Sequence, residues 1–127
     1  MKLIIDTNFL LIPFKFKIDI FSEFTRICNF NYKLFIFEQS INELKNIIEK
    51  QSGKDKKAAQ FALKLIELKH INIIKSEQKD VDWLILSKSD KDTVVATLDS
   101  NLKRELLKKG ISVIILRQKK YLQLIER

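Results

Sequence analysis

Cysteine, histidine and proline each occur once in this sequence, and glycine only twice. Each scarcity removes a class of chemistry. The lone Cys28 cannot build a disulfide framework or a cysteine-rich zinc site. The lone His70 excludes nucleases that work with a histidine pair and metal centres with several imidazole ligands. Gly53 and Gly110 stand far apart, so neither a GxxxxGK nor a GxGxxG phosphate-cradling loop is present. Long hydrophobic runs are missing too. The apolar start at residues 3–5 ends at Asp6, too short for a signal peptide or a membrane span. A cytoplasmic protein with a reduced thiol is therefore expected, and any chemistry falls to the carboxylates.

What is present is an ordinary globular composition with a basic excess. Hydrophobic residues make up 46% of 127 residues, and 24 Lys plus Arg against 16 Asp plus Glu leave a formal charge of +8. The length fits one domain over residues 1–127. The polar stretch KQSGKDKK at residues 50–57 reads as a helix–helix loop, too short to divide domains. Apolar runs at residues 3–5, 34–37, 71–74, 93–96 and 112–116 read as five strands. Helical spacing marks residues 18–28, 41–48, 58–66 and 102–107, the last closed by Gly110 in a left-handed C-cap. Residues 81–86 are apolar nearly throughout and read as a short buried helix, and residues 117–127 read as a basic tail. Strands alternating with helices, and strands continuously apolar, predict an α/β fold with a parallel sheet covered on both faces. In such sheets reacting groups gather at the carboxyl ends of the strands.

Carboxylates stand at those places. Asp6 follows the first strand and Asp99 the fourth; Glu43 falls in the first turn of the helix after the second strand, and Asp82 opens the helix after the third. Glu43 has Ile47 at i+4, and Asp82 has Ile85 and Leu86 at i+3 and i+4, so both border apolar stripes. Asp80 lies two residues before Asp82, a helical spacing that sends the pair to opposite sides, and Asp82 is the one expected in the site. Each residue also has a structural reading. Asp6 suits a turn, Ser40 with Glu43 has the spacing of a capping box, Asp99 suits an N-cap, and Asp82 suits a helix dipole. Gathered at one edge, four carboxylates repel one another unless some are protonated or a hard cation joins them. Mg²⁺ and Mn²⁺ take such oxygen ligands together with water and phosphate. A metal-activated water then needs no side-chain nucleophile.

The residues that carry this arrangement resemble a known family. LIIDTN at residues 3–8 and VVATLDSNLKREL at residues 94–106, with Asn42-Glu43-Leu44 and Asp82-Trp83-Leu84-Ile85 between them in order, resemble the PIN-domain nucleases over almost the whole chain. The likeness is to the archaeal branch with VapC-type toxins and the PIN endonucleases of ribosomal RNA processing. It implies a three-layer α/β/α fold around a mainly parallel five-stranded sheet. It also implies an Mg²⁺- or Mn²⁺-dependent endoribonuclease, often a homodimer, with an antitoxin or a pre-ribosomal particle as partner. By the same resemblance Asp6, Glu43, Asp82 and Asp99 bind metal, Asn8 and Thr97 hydrogen-bond the carboxylates or metal waters, and Asn101 assists. Trp83 stands where many relatives in the branch have a second acid.

The charge is unevenly spread. Residues 103–127 hold eight basic residues and two acids, six of the eight net charges. Lys103 and Arg104, one turn from Asp99, and Arg117, Lys119 and Lys120 are candidates for RNA phosphate contacts. Two other functions fit less of the sequence. A non-catalytic RNA-binding or ribosome-assembly factor on the same scaffold is suggested by Trp83 and the basic tail. A phosphoacceptor receiver domain expects adjacent acids after strand one, where this chain has Asp6-Thr7-Asn8.

Overall fold

The computed structural model describes residues 1–126. Six strands form one sheet: β1 (Lys2–Ile5), β2 (Lys33–Phe37), β3 (Asn72–Ile74), β4 (Thr93–Ala96), β5 (Ser112–Arg117) and β6 (Tyr121–Ile125). Their order is β3-β2-β1-β4-β5-β6, with all neighbours parallel except β5 and β6. The order reverses direction at β1, so the chain leaves a crevice beside the carboxyl ends of β1 and β4, where ligands settle in sheets of this kind.

Six helices complete the chain: α1 (Ile12–Phe16), α2 (Ile20–Ile27), α3 (Glu38–Lys50), α4 (Gly53–Leu68), α5 (Val81–Lys88) and α6 (Ser100–Lys108). A 3₁₀ turn, Thr7–Leu11, joins β1 to α1. Side-chain alternation along the central strands sends residues to two cores. Leu3 and Ile5 of β1, with Val94 and Ala96 of β4, pack with Phe24, Leu44, Ala58 and Ala62 from α2 to α4. Ile4 and Val95, one residue over, pack with Val81, Leu84, Leu102 and Leu106 from α5 and α6. The result is three layers, helices on both faces of the sheet, as the continuously apolar strands require. Among the described residues no helix is long and apolar enough to cross a membrane.

Local chemistry sets the helix ends. Gly110 adopts φ 78°, its N–H donates to Leu107 O at 3.0 Å, and Ile111 N–H donates to Leu106 O at 3.0 Å. This is the left-handed close expected of Gly110. α4 ends the same way on His70, at φ 51°, with Ile71 N–H donating to Ile66 O at 3.1 Å. His70 is thus a helix terminator rather than a reacting group. Cys28 is buried in the first core.

Two expectations need correction. The stretch at residues 50–57 is not a loop: α3 runs to Lys50 and α4 starts at Gly53, leaving only Gln51 and Ser52 between them. Its Lys and Asp residues form the polar first turns of α4, and charged residues suit an exposed helix face as well as a loop. The sheet has six strands rather than five, because the presumed tail folds back as β6. The turn that folds it puts both Gln118 and Lys119 at positive φ, 53° and 54°, with Lys120 N–H donating to Arg117 O at 2.9 Å. Such turns are normally signalled by Asn or Gly, and here neither is present. Arg127, counted with the tail, lies outside the described residues.

β6 is held on its outer side by α2. Glu23 Oε1 accepts the Leu122 N–H at 2.8 Å, and Arg26 Nη2 donates to Leu122 O at 3.0 Å. Glu23 and Arg26 are themselves paired, Nε to Oε2 at 2.8 Å. Glu23→Ala is expected to cost about 1 kcal/mol of stability and to accelerate hydrogen exchange at the Leu122 amide. Unchanged exchange at that amide would show that the β5–β6 ladder alone holds the strand.

Candidate metal centre

A cavity of about 560 Å³ opens at the carboxyl ends of β1 and β4. Five acids line it: Asp6, Glu43, Asp80, Asp82 and Asp99. Among the described residues no Lys or Arg lines it. All four carboxylates expected in the site are therefore brought together, and Asn8 lines the cavity with them. Asp6 is the floor, buried at 6% exposure. Asp99 is half-buried above it, while Glu43, Asp80 and Asp82 stand at the exposed rim.

The floor is assembled by hydrogen bonds between distant segments. Asp6 Oδ1 accepts from Thr7 N at 2.9 Å, and Asp6 Oδ2 accepts from the Thr97 hydroxyl at 2.7 Å. Thr97 Oγ1 accepts in turn from Asp99 N at 3.1 Å. The Thr7 hydroxyl donates to Glu43 Oε1 and lies 2.8 Å from the Ser40 hydroxyl. A hydroxyl has one proton to give, so with Thr7's committed to Glu43 the proton of Ser40 completes the pair. Asp99 Oδ1 caps α6 through Asn101 N at 2.8 Å and Leu102 N at 3.0 Å. The N-cap reading of Asp99 is thus correct for one oxygen, and the residue still lines the cavity.

Several local expectations change. Glu43 lies in the second turn of α3, not the first, because the helix begins at Glu38. Ser40 is consequently inside the helix, fully buried against Thr7, and the capping-box reading falls. Asp80 joins the cavity together with Asp82. The helical spacing argument does not apply to it, since Asp80 is the extended N-cap residue of α5, at φ −58° and ψ 144°. Asn101 is not among the lining residues, and its side-chain oxygen accepts from Arg104. The sequence assigns Thr7 no role, reads Ser40 only as a cap, and sets Asp80 aside in favour of Asp82. Only the adjacency of Thr7 to Asp6, and of Asp80 to Asp82, hinted at them.

The basic candidates separate into groups. Lys103 and Arg117 line a smaller cavity of about 180 Å³ that shares Asp99 with the acidic one and includes Thr97, the donor to Asp6. Arg104 faces a shallow depression with Lys108 further along α6. Lys119 is turned away, its Nζ 5.7 Å from the Phe16 ring centroid, and Lys120 lies in the β5–β6 turn.

The electrostatics of the acidic cavity are unfavourable as it stands. Burial pushes the Asp6 carboxyl up to about 6, with the nearby Asp82 and Glu43 charges adding to the shift and the Thr97 and Thr7 hydrogen bonds opposing it. Glu43 is raised by burial and by Asp82 and Asp80, against its bond from Thr7. Asp82 is raised by burial, Asp99 and Asp80. Oxygen donors only, mutual repulsion and no basic counter-charge in the lining are the donor set a hard divalent cation fits. Among the described residues no three acids close tightly enough to form a cage. The acids instead line an open site, with room for water and phosphate ligands.

A raised carboxyl pKa has a defined sign. The folded protein holds the Asp6 proton more tightly than the unfolded chain, so its stabilising effect is complete below the unfolded value of 3.8 and is lost as pH rises through about 6. In chelator, Asp6→Asn is therefore expected to gain stability relative to the unsubstituted protein as pH rises from about 4 to 7, by about 1–3 kcal/mol. Thermal unfolding of both proteins across that range measures the gap, and a gap independent of pH would contradict the assignment.

Comparison with known proteins now bears on this arrangement. The family described as a PIN like domain matches residues 3–119. Ribonuclease VapC4 of Methanocaldococcus jannaschii is 31% identical over 125 residues, covering 97% of this chain and 95% of that protein. Ribonuclease VapC9 of Archaeoglobus fulgidus is 30% identical over 118 residues, covering 92% and 84%. The solved structure of the PIN domain endonuclease Utp24 superposes with a TM-score of 0.80 over 99% of this chain and 92% of its own, at 22% identity, a likeness of fold. A parallel sheet that reverses at β1, an acid-lined crevice at that reversal and these sequence matches agree: the chain belongs to the PIN-like domain family and is a homologue of archaeal VapC ribonucleases.

Proposed function

We propose that this protein is an Mg²⁺- or Mn²⁺-dependent endoribonuclease of the VapC type, a cytoplasmic toxin held in check by an antitoxin partner. The observation that carries the reading is the cavity lined by five acids at the sheet reversal, with no basic residue among the described lining. Two archaeal relatives named ribonucleases, matched over nearly their whole length, support it. They favour the toxin role over ribosomal RNA processing on a pre-ribosomal particle. The chain acts as one domain and pairs as a homodimer in this reading.

Asp6, Glu43, Asp82 and Asp99 hold the cation, with Asp80 available at the rim. When bound, the cation supplies an acidified water and neutralises charge developing on the phosphodiester. The protein's own groups do the positioning. Thr97 fixes the inner oxygen of Asp6, and Thr7 fixes Glu43, so two acids are aimed before any substrate arrives. Asn8 at the wall hydrogen-bonds water or phosphate oxygen. Lys103 and Arg117 hold the RNA backbone outside the acidic floor, where cations do not cancel the site's charge. Arg104, with Asn101 steadying it, and then Lys120 extend that path along α6 and the β5–β6 turn, while Lys119, its ammonium over Phe16, stands off it.

Cleavage of RNA is expected with Mn²⁺ or Mg²⁺ and is abolished by EDTA or by Asp6→Asn. Full activity in either case would overturn the proposal. Thr97→Val keeps the side-chain shape but releases Asp6, and is expected to lower activity about 10–100-fold. Trp83 in place of a second acid motivates the other reading, RNA binding without cleavage. In that case calorimetric titration with Mn²⁺ gives no heat, and RNA affinity is the same with and without metal.

A further inference from the structure

One large side chain at the acidic cavity has no part in the metal chemistry. Trp83 lines the cavity directly after Asp82, yet it is 49% exposed. The fold does not use it: α5 packs into the core through Val81, Leu84 and Ile85. Leu86, at i+3 from Trp83, lines the same cavity, so the two make an apolar wall facing the acids. Lys79 Nζ lies over the indole ring, 5.6 Å from its centroid.

The charge of the cavity makes this wall consequential. An RNA backbone entering a cavity whose charged lining is five acids meets repulsion at its phosphates, so an uncharged group beside those acids adds affinity close to the reacting bond without adding to that repulsion. An aromatic face does this, because every base has a π-face to lay on it. In a duplex the bases are stacked on one another and have no free face to offer, whereas an unpaired base can turn out onto a side chain. Lys79 lies over one face of the Trp83 ring, so a base takes the opposite face or displaces this flexible side chain, whose ammonium then stands beside the incoming phosphate.

We propose that Trp83 is the stacking platform that seats an unpaired base of single-stranded RNA at the mouth of the acid-lined cavity. Laid on the indole, a base sets its own sugar and phosphate beside the cation that Asp82 and Asp99 would hold. Trp83 is in this sense a positioning and selectivity residue, and it favours single strands over duplex. The inference rests on reading the cavity as the place where RNA is cut.

Trp83 is the sole tryptophan of the chain, so indole fluorescence reports on it alone. A single-stranded oligoribonucleotide titrated into the protein in EDTA is expected to quench that emission, with the same midpoint as the anisotropy of the labelled strand. A blunt duplex of the same sequence is expected to leave it unchanged. Trp83→Ala should weaken single-strand binding roughly tenfold and raise KM similarly, with kcat within about threefold. Trp83→Phe should keep most of the affinity. Trp83→Leu, apolar but without a ring face, decides the point should the alanine variant not fold. Binding seen by anisotropy with no change in indole emission would overturn the proposal. So would a Trp83→Leu protein with the affinity and KM of the original, or an indole signal that follows protein concentration without RNA, which would put Trp83 against a second copy. A protein that shows quenching by single strands but never cuts them sinks the nuclease reading and leaves the platform standing.

Discussion

A buried carboxylate whose ionisation burial disfavours is the constraint on which much of the surrounding geometry depends. Asp6 ends the middle strand of the sheet, between two cores that each take alternate residues of that strand. Its two oxygens are spoken for by Thr7 and Thr97, and those two threonines reach on to Glu43 and to Asp99. Residues 91 positions apart in sequence are thereby stitched at a single point. Ionising the group there is unfavourable, and the hydrogen bonds offset only part of that cost. A fold that keeps an unfavourable charge in such a fixed position is arranged for something other than its own stability.

The sequence revealed this arrangement unevenly, for physical reasons. Strand interiors were legible because burial on both faces leaves a run of apolar residues with no polar interruption, as in Leu3 to Ile5. The acids at strand ends were legible because a parallel sheet dictates where polar groups can collect. The β5–β6 hairpin was hidden because Gln118 and Lys119 take left-handed backbone angles that their side chains do not advertise. Asp80 was hidden by a periodicity argument that holds inside a helix and fails one residue before it. Ser40 shows the opposite error: its spacing to Glu43 suggested a cap, but the helix starts two residues earlier, and its hydroxyl serves the site floor instead.

Charge is sorted as carefully as packing. The acids converge on the sheet reversal, while the basic residues of α6 and the β5–β6 turn lie beyond Asp99, with Lys103 and Arg117 nearest. Mixing the two sets would have produced ion pairs and a neutral surface. Kept apart, they leave an anionic hollow with a cationic flank, so a polyanion is attracted to the domain by one region and reaches the other only if its repulsion there is relieved. The net charge of +8 conceals this division.

The clasp on β6 has a consequence for assembly. At a free sheet edge, unpaired backbone groups invite a strand from another molecule. Here the outward N–H and C=O of Leu122 are already engaged by Glu23 and Arg26, which imitate the hydrogen bonds of a missing neighbour. At the opposite margin β3 offers only three residues. A second strand cannot pair with β6 at Leu122 without first undoing that clasp, so this part of the edge is closed from within.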